Sequence, residues 1–136
     1  MRKTLSVSLK YAYIFLYGAF IYSAIEVAFR GYTHWSMTLT GGTALVAIYR
    51  MNMLMSRKSL LLRCAAGCAV ITSMEFTVGC VVNRWLHMGV WDYSHMPLNV
   101  LGQICPLFSG AWFLLCIPAI AICMFLHKRI FENTSM

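Results

Sequence analysis

Long apolar stretches separated by short polar ones dominate the chain. Four of them reach or approach the roughly 20 residues that a helix needs to cross the hydrocarbon layer of a membrane. They cover residues 11–29, 37–55, 59–85 and 104–126. No alternation of apolar and polar residues, typical of a membrane β-barrel, interrupts them. The pattern predicts an all-α integral membrane protein with one domain, residues 1–136, built as a bundle of four transmembrane helices. An outer connector, residues 87–103, precedes the last helix.

The composition agrees with this pattern. Of the 136 residues, 60% are hydrophobic and only 11% are charged, and the mean hydropathy is +0.70. A soluble fold of this length covers its core with polar side chains, and this chain has too few of them. The composition therefore excludes an ordinary soluble domain.

The basic residues predict the orientation of the bundle. Lys and Arg are concentrated in the cytoplasmic loops of membrane proteins. Arg30 and Arg84 would lie on one side of the membrane. Nine others would lie on the opposite side: Arg2, Lys3, Lys10, Arg50, Arg57, Lys58, Arg63, Lys128 and Arg129. We expect a multi-pass protein of the cell (cytoplasmic) membrane with both termini in the cytoplasm.

The same residues indicate which partners the protein has. Basic residues that flank spans are placed to contact anionic lipid head groups. They have no aromatic platform beside them on which bases could stack, so we expect no nucleic acid partner.

The first apolar stretch is longer than the apolar region of a signal peptide and contains Glu26, so we expect it to be retained as a span.

The positions of the cysteines indicate that they pack in the core and do not bind metal or take part in catalysis. All six lie within predicted spans: Cys64, Cys68, Cys80, Cys105, Cys116 and Cys123. In that setting they are expected to be small, reduced core residues. We predict no metal site, no cofactor and no catalytic residue.

Acidic residues within the spans carry the most information about function. Glu26 and Glu75 lie inside predicted spans, and Asp92 lies in the outer connector. An ionised carboxylate in the membrane is costly, so it faces the bundle interior, pairs with a cation or takes up a proton. Arg30 follows Glu26 by four residues, which places both side chains on one helix face.

We predict that these residues form one polar network in the outer half of the bundle, joined by Asp92, and that it is a transport site. Glu75, Gly79 and Asn83 repeat every four residues and so give the third span a polar stripe. The predicted members are Glu26, Arg30, Glu75, Asn83, Arg84, Asp92, Asn99 and Gln103. A purely structural role stays open, because buried ion pairs can also fix helix register.

Aromatic residues cluster near the ends of the spans. Such rings often lie half-solvated at the membrane interface. We predict this anchoring role for Trp35, Trp85, Trp91 and Tyr93. Asp92, Asn99 and Gln103 are expected to line a loop that folds over the polar network.

Several segments together resemble a known family. The most specific is Val90-Trp91-Asp92-Tyr93-Ser94, followed by Pro97, Asn99 and Gly102-Gln103-Ile104-Cys105. Others are Ile25-Glu26, Arg30 to Met37, Gly41-Gly42, Glu75-Phe76, Gly79-Cys80, Val82-Asn83 and Trp85. They resemble the CmpB-like (type IV) family of small ABC-transporter permeases over residues 25–112. His95-Met96 and Cys105-Pro106 depart from the pattern.

The resemblance implies a permease. The chain has no Gly-Lys-Ser/Thr phosphate loop, so ATP-driven transport would need a separate ATPase subunit. Residues 50–63 form the connector basic enough to dock such a subunit, although topogenic charge explains the same residues.

Three function classes are open at this point. The first is a transport component, expected to be a homo-oligomer because four short helices enclose little volume. The second is a pore-forming or scaffolding, holin-like protein without a specific substrate. The third, the least favoured, is a membrane enzyme that uses Glu26, Glu75 and Asp92 at the outer face, with a metal at His34, His87 and His95. The spacing of these histidines matches no metal-ligand signature.

Overall fold

A computed structural model of the protein describes residues 6–132 and contains four long helices. They are α1 (Val7–Arg30), α2 (Trp35–Leu54), α3 (Leu60–Gly79) and α4 (Pro106–Leu126). Two short π-helical segments, Cys80–Trp85 and His127–Glu132, continue α3 and α4. Between residues 6 and 132 the chain has no β-strand, only an isolated bridge of Val100 with Ile104. The all-helical fold is confirmed; Arg2 and Lys3, which enter the orientation argument, lie outside the described residues.

Local sequence signals set the ends of the helices. Ser6 and Ser59 precede α1 and α3, and each side chain accepts a hydrogen bond from a backbone N–H three residues on. Gly31 ends α1 with φ +80°, a left-handed conformation that glycine adopts without steric cost. Pro106 lies in the first turn of α4, where its missing N–H is not needed.

Within residues 6–132, three helices are long and apolar enough to cross a membrane: Val7–Arg30, Leu60–Trp85 and Pro106–Glu132. α2 is less apolar but more buried, with nine buried residues against four in each of the other three helices. Its polar groups bond within the protein: Thr40 donates to the Ser36 carbonyl at 2.7 Å, and buried Asn52 accepts from Arg63 at 2.8 Å. A helix shielded by protein needs less apolar surface than one that faces lipid, which explains its lower hydropathy.

α1 and α2 cross with their backbones in close approach. A Cβ atom added to Gly18 would lie 2.6 Å from the Leu45 Cβ and 2.7 Å from the Gly41 carbonyl oxygen. Small residues at such crossings let two helices pack more tightly than larger side chains allow. The crossing brings Tyr22, one turn further along α1, against Gly41.

The core has two parts. The larger cluster packs all four helices together around Ile14, Ile48, Cys64 and Cys116, each nearly inaccessible. The smaller cluster lies beneath the connector (residues 87–103) and joins Met37, Val82, Val90 and Trp91. The connector is therefore part of the folded core and not a loose loop.

Candidate functional site

Glu75 is the most deeply buried carboxyl group of the described chain, with 5% of its surface exposed. Both carboxyl oxygens accept hydrogen bonds: Oε1 from the Tyr93 hydroxyl and Oε2 from the Trp112 indole N–H, each at 2.9 Å. The two donors come from the connector and from α4. No basic side chain within residues 6–132 forms an ion pair with Glu75.

Ring stacking holds both donors in place. Tyr93 stacks on Phe108 with 4.7 Å between ring centroids and 6° between the planes. Trp112 stacks on Tyr22 at 5.8 Å and 26°. Burial and the nearby carboxylate of Glu75 raise the pKa of the Tyr93 hydroxyl above its usual value, so this hydroxyl keeps its proton and stays a donor.

Glu75 lines a partly open cavity of about 180 Å³ between the helices of the bundle, which we call the aromatic cavity. All four helices and the connector contribute to its wall. Tyr22, Trp91 and Trp112 supply aromatic surface, and most of the remaining wall is aliphatic. The Glu75 carboxyl is its one charged group among the described residues.

A second, larger space of about 720 Å³ lies between α1, α4 and the connector, and we call it the connector cleft. Glu26, Arg30 and Asp92 contribute its charges. Tyr22 and Trp112 line both spaces. Ile25, Trp91 and Leu115 also line both spaces, so the stacked pair forms one part of the boundary between the connector cleft and the aromatic cavity.

Glu26 and Arg30 form the ion pair that their spacing predicts. Arg30 Nη1 lies 3.3 Å from Glu26 Oε2, and the Glu26 side chain is only 11% exposed. Arg30 also donates to the Tyr32 hydroxyl at 2.9 Å and to the Val90 carbonyl. The pair thus ties the end of α1 to the connector.

Asn83 fastens the connector to the π-helical end of α3. Its Oδ1 accepts from the backbone N–H groups of Val90 and Trp91 at 2.7 and 3.3 Å, and its Nδ2 donates to Gln103 Oε1 at 2.8 Å. Trp91 completes the arrangement, because its indole N–H donates to the Gln103 carbonyl at 3.0 Å. Gly79 has no side chain, which leaves space for the Gln103 side chain. A Cβ atom at position 79 would lie 2.6 Å from Gln103 Oε1.

The predicted single network joined by Asp92 is not what the structure contains. The Asp92 carboxylate is exposed and accepts from the Ser94 N–H at 2.8 Å, a local turn that an Asp side chain readily forms. This hydrogen bond holds the pKa of Asp92 below its usual value. Asn99 bonds to Ser94, Met96 and Gly102 of its own connector, and Arg84 reaches the Leu101 carbonyl at 3.4 Å. These residues shape the connector and do not contact Glu75.

The predicted anchors divide into two groups. Trp35 and Trp85 are 60% and 74% exposed, and their anchoring role stays a prediction. Trp91 is 9% exposed, which corrects the anchoring prediction, because its ring fills the space beneath the connector. Tyr93 is half-buried, with its hydroxyl on Glu75.

Trp112 and Tyr22 are site residues that the predicted network does not include. Trp112 donates to a carboxyl 37 positions away, a distance over which helical periodicity carries no information. One feature of the sequence does point to Trp112: a tryptophan inside an apolar helix needs a hydrogen-bond acceptor for its indole N–H. An intramembrane carboxylate is such an acceptor.

Among the described residues, no three His, Cys, Asp or Glu side chains gather closely enough to hold a metal ion.

The chain matches a family model over residues 13–136, and that family is described as Putative ABC-transporter type IV. The protein belongs to this family. The matched residues of this ABC-transporter type IV chain include every group described above around Glu75 and Glu26. Comparisons with curated proteins and with solved structures found no match.

Proposed function

We propose that this protein is the membrane-spanning component of a transporter, a permease subunit in which Glu75 is an exchangeable cation or proton site. The supporting observation is a buried carboxyl group with two neutral donors and no basic partner within residues 6–132. Neutral hydrogen bonds offset only part of the cost of burying a carboxylate, so a proton or a bound cation completes the site.

The two neighbouring spaces supply a route to this site. A cation in the connector cleft is separated from Glu75 by the residues that line both spaces, among them the stacked rings of Tyr22 and Trp112. Rotation of a side chain or a small shift of α1 against α4 would join the two spaces. Movements of this kind commonly gate membrane transport sites.

The proposal includes a membrane topology. We propose that α2 spans the membrane with the three more apolar helices, and that both termini lie in the cytoplasm of a cell-membrane protein. The uneven distribution of Lys and Arg supports this orientation. In it the connector cleft opens to the outer face, and Arg57 and Lys58, between α2 and α3, contact anionic head groups.

Assembly is a further part of the proposal. Four helices of 20 to 24 residues enclose little volume, which favours a homo-oligomer as the working unit. The family description supports a separate ATPase subunit. Residues 50–63 are the proposed docking segment for it.

Neutralising Glu75 should strongly reduce specific proton flux. In proteoliposomes that contain a pH-sensitive dye, the protein should dissipate an imposed pH gradient at a saturable rate. Glu75→Gln should lower that rate at least tenfold, a change of about 1.4 kcal/mol or more in activation free energy. Glutamine fits the site, because its carbonyl can accept from Trp112 while its amide donates to the Tyr93 oxygen.

The matched control is Glu132→Gln, which removes a carboxylate from the exposed terminal π-helical segment and should leave the flux unchanged. Equal flux from Glu75→Gln and the unaltered protein would contradict the proposal. Release of trapped dyes up to a size limit, independent of Glu75, would instead identify a pore.

A further inference from the structure

The geometry points to an organic ammonium ion with a compact apolar body as the ligand of the aromatic cavity, with its ammonium group at Glu75. This inference rests on the proposed function, since it names the substrate class of the same carboxyl group. It is carried by three properties of the cavity: its volume, its wall and its single charge.

Volume and wall select the body of the ligand. The cavity holds about 180 Å³, somewhat more than the roughly 150 Å³ apolar cavity that takes up benzene in an engineered protein. Ile48, Ile71, Leu115 and Ile122 contribute aliphatic surface to its wall. Such a space favours one aromatic ring or a short branched alkyl group over a strongly hydrated molecule.

The carboxyl group selects the charge. A carboxylate offers about four lone-pair positions, and Tyr93 and Trp112 occupy two of those on Glu75. The remaining positions can accept from an ammonium group. An anion would be repelled, because no basic side chain lines the cavity within the described residues.

The rings distinguish an organic cation from a metal ion. Ca²⁺ and Mg²⁺ take six or more oxygen ligands, whereas the side chains that line the cavity within residues 6–132 offer four oxygens, two from Glu75 and one each from Tyr22 and Thr40. Aromatic faces attract organic cations strongly when water is excluded. The rings of Tyr22, Trp91 and Trp112 line the same cavity as Glu75.

The connector cleft also favours a positively charged ligand that approaches the aromatic cavity through it. Among the described residues that line it, Glu26 and Asp92 contribute two carboxylates against the guanidinium of Arg30, an excess of one acidic over basic side chain apart from histidine. A cleft of this sign raises the local concentration of cations. Its aromatic wall, with Phe29, Tyr93 and Phe108, suits a ligand with an apolar body.

The test is equilibrium binding of three probes of equal size to the full-length protein in nanodiscs, followed by calorimetry. Benzylammonium should bind at least tenfold more tightly than neutral benzyl alcohol, and benzoate should not bind. Glu75→Gln should remove the preference for the cation, so that benzylammonium and benzyl alcohol differ by less than twofold. Glu132→Gln should keep the preference.

A second variant tests the cavity without touching its charge. Ala119 lies on the wall in α4, and Ala119→Phe should fill the space and lower benzylammonium affinity at least tenfold. Equal affinity for benzylammonium and benzyl alcohol, or benzylammonium binding that survives Glu75→Gln, overturns the inference. Glu75-dependent proton flux without benzylammonium binding would refute only the ligand class. Binding without flux would refute only the transport function.

Discussion

Replacing Asn83 with alanine should detach the connector from α3 and lower the free energy of unfolding by about 3 kcal/mol. The substitution removes the acceptor of the Val90 and Trp91 backbone N–H groups and the donor to Gln103. A buried polar group that loses its partner costs about 1–3 kcal/mol. Unfolding in mixed micelles measures the loss, and hydrogen exchange at Val90 and Trp91 should accelerate more than exchange in α2.

The control for this prediction is Asn83→Asp, which keeps an oxygen for the two N–H groups and loses only the amide donor to Gln103. It should destabilise the protein less than alanine does. Unchanged exchange at Val90 and Trp91 in Asn83→Ala would show that the connector is held by other contacts.

Gly18→Ala should strongly destabilise the packing of α1 against α2. The new Cβ would lie 2.7 Å from the carbonyl oxygen of Gly41, and backbone cannot move aside as a flexible side chain can. α1 and α2 must therefore separate, at a cost of about 2–3 kcal/mol. The separation should also displace Tyr22, which packs on Gly41, and so weaken its stacking on Trp112.

Gly110→Ala is the matched control, since Gly110 lies in α4 and a Cβ there meets no atom within 4 Å. It should be neutral or stabilise the protein by about 0.5–1 kcal/mol, because alanine favours helix more than glycine does. Equal melting temperatures for Gly18→Ala and Gly110→Ala would contradict the close crossing of α1 and α2.

The apolar pattern predicted the helices well because each is a long uninterrupted run, and their ends differ by a few residues. The run placed at 11–29 is Val7–Arg30, since Ser6 provides a cap upstream of the most apolar part. The run placed at 37–55 is Trp35–Leu54, and it begins where His34 accepts from the Ser36 N–H. The pattern of apolar residues contains no information about either of these hydrogen bonds.

The candidate site was predictable only where partners are neighbours in sequence. Glu26 and Arg30 are four residues apart, so helix geometry alone brings them together. Tyr93 and Trp112 are 18 and 37 positions from Glu75, and only the packing of the connector and α4 against α3 selects them. The anchoring prediction for Trp91 is wrong because the local sequence is the same for a tryptophan at the membrane interface and for a buried one. Burial of the ring depends on the fold.

The most direct test of the account is the distance between the Glu75 carboxyl carbon and the Trp112 indole nitrogen, measured by solid-state NMR in lipid with labelled Glu Cδ and Trp Nε1. The Trp112 N–H lies 2.9 Å from Glu75 Oε2, which places nitrogen and carboxyl carbon about 4 Å apart. One indole signal should report this short distance, and Trp112→Phe should abolish it. Absence of any short Glu–Trp distance, or its survival in Trp112→Phe, would contradict the placement of Glu75 on which the proposed site depends.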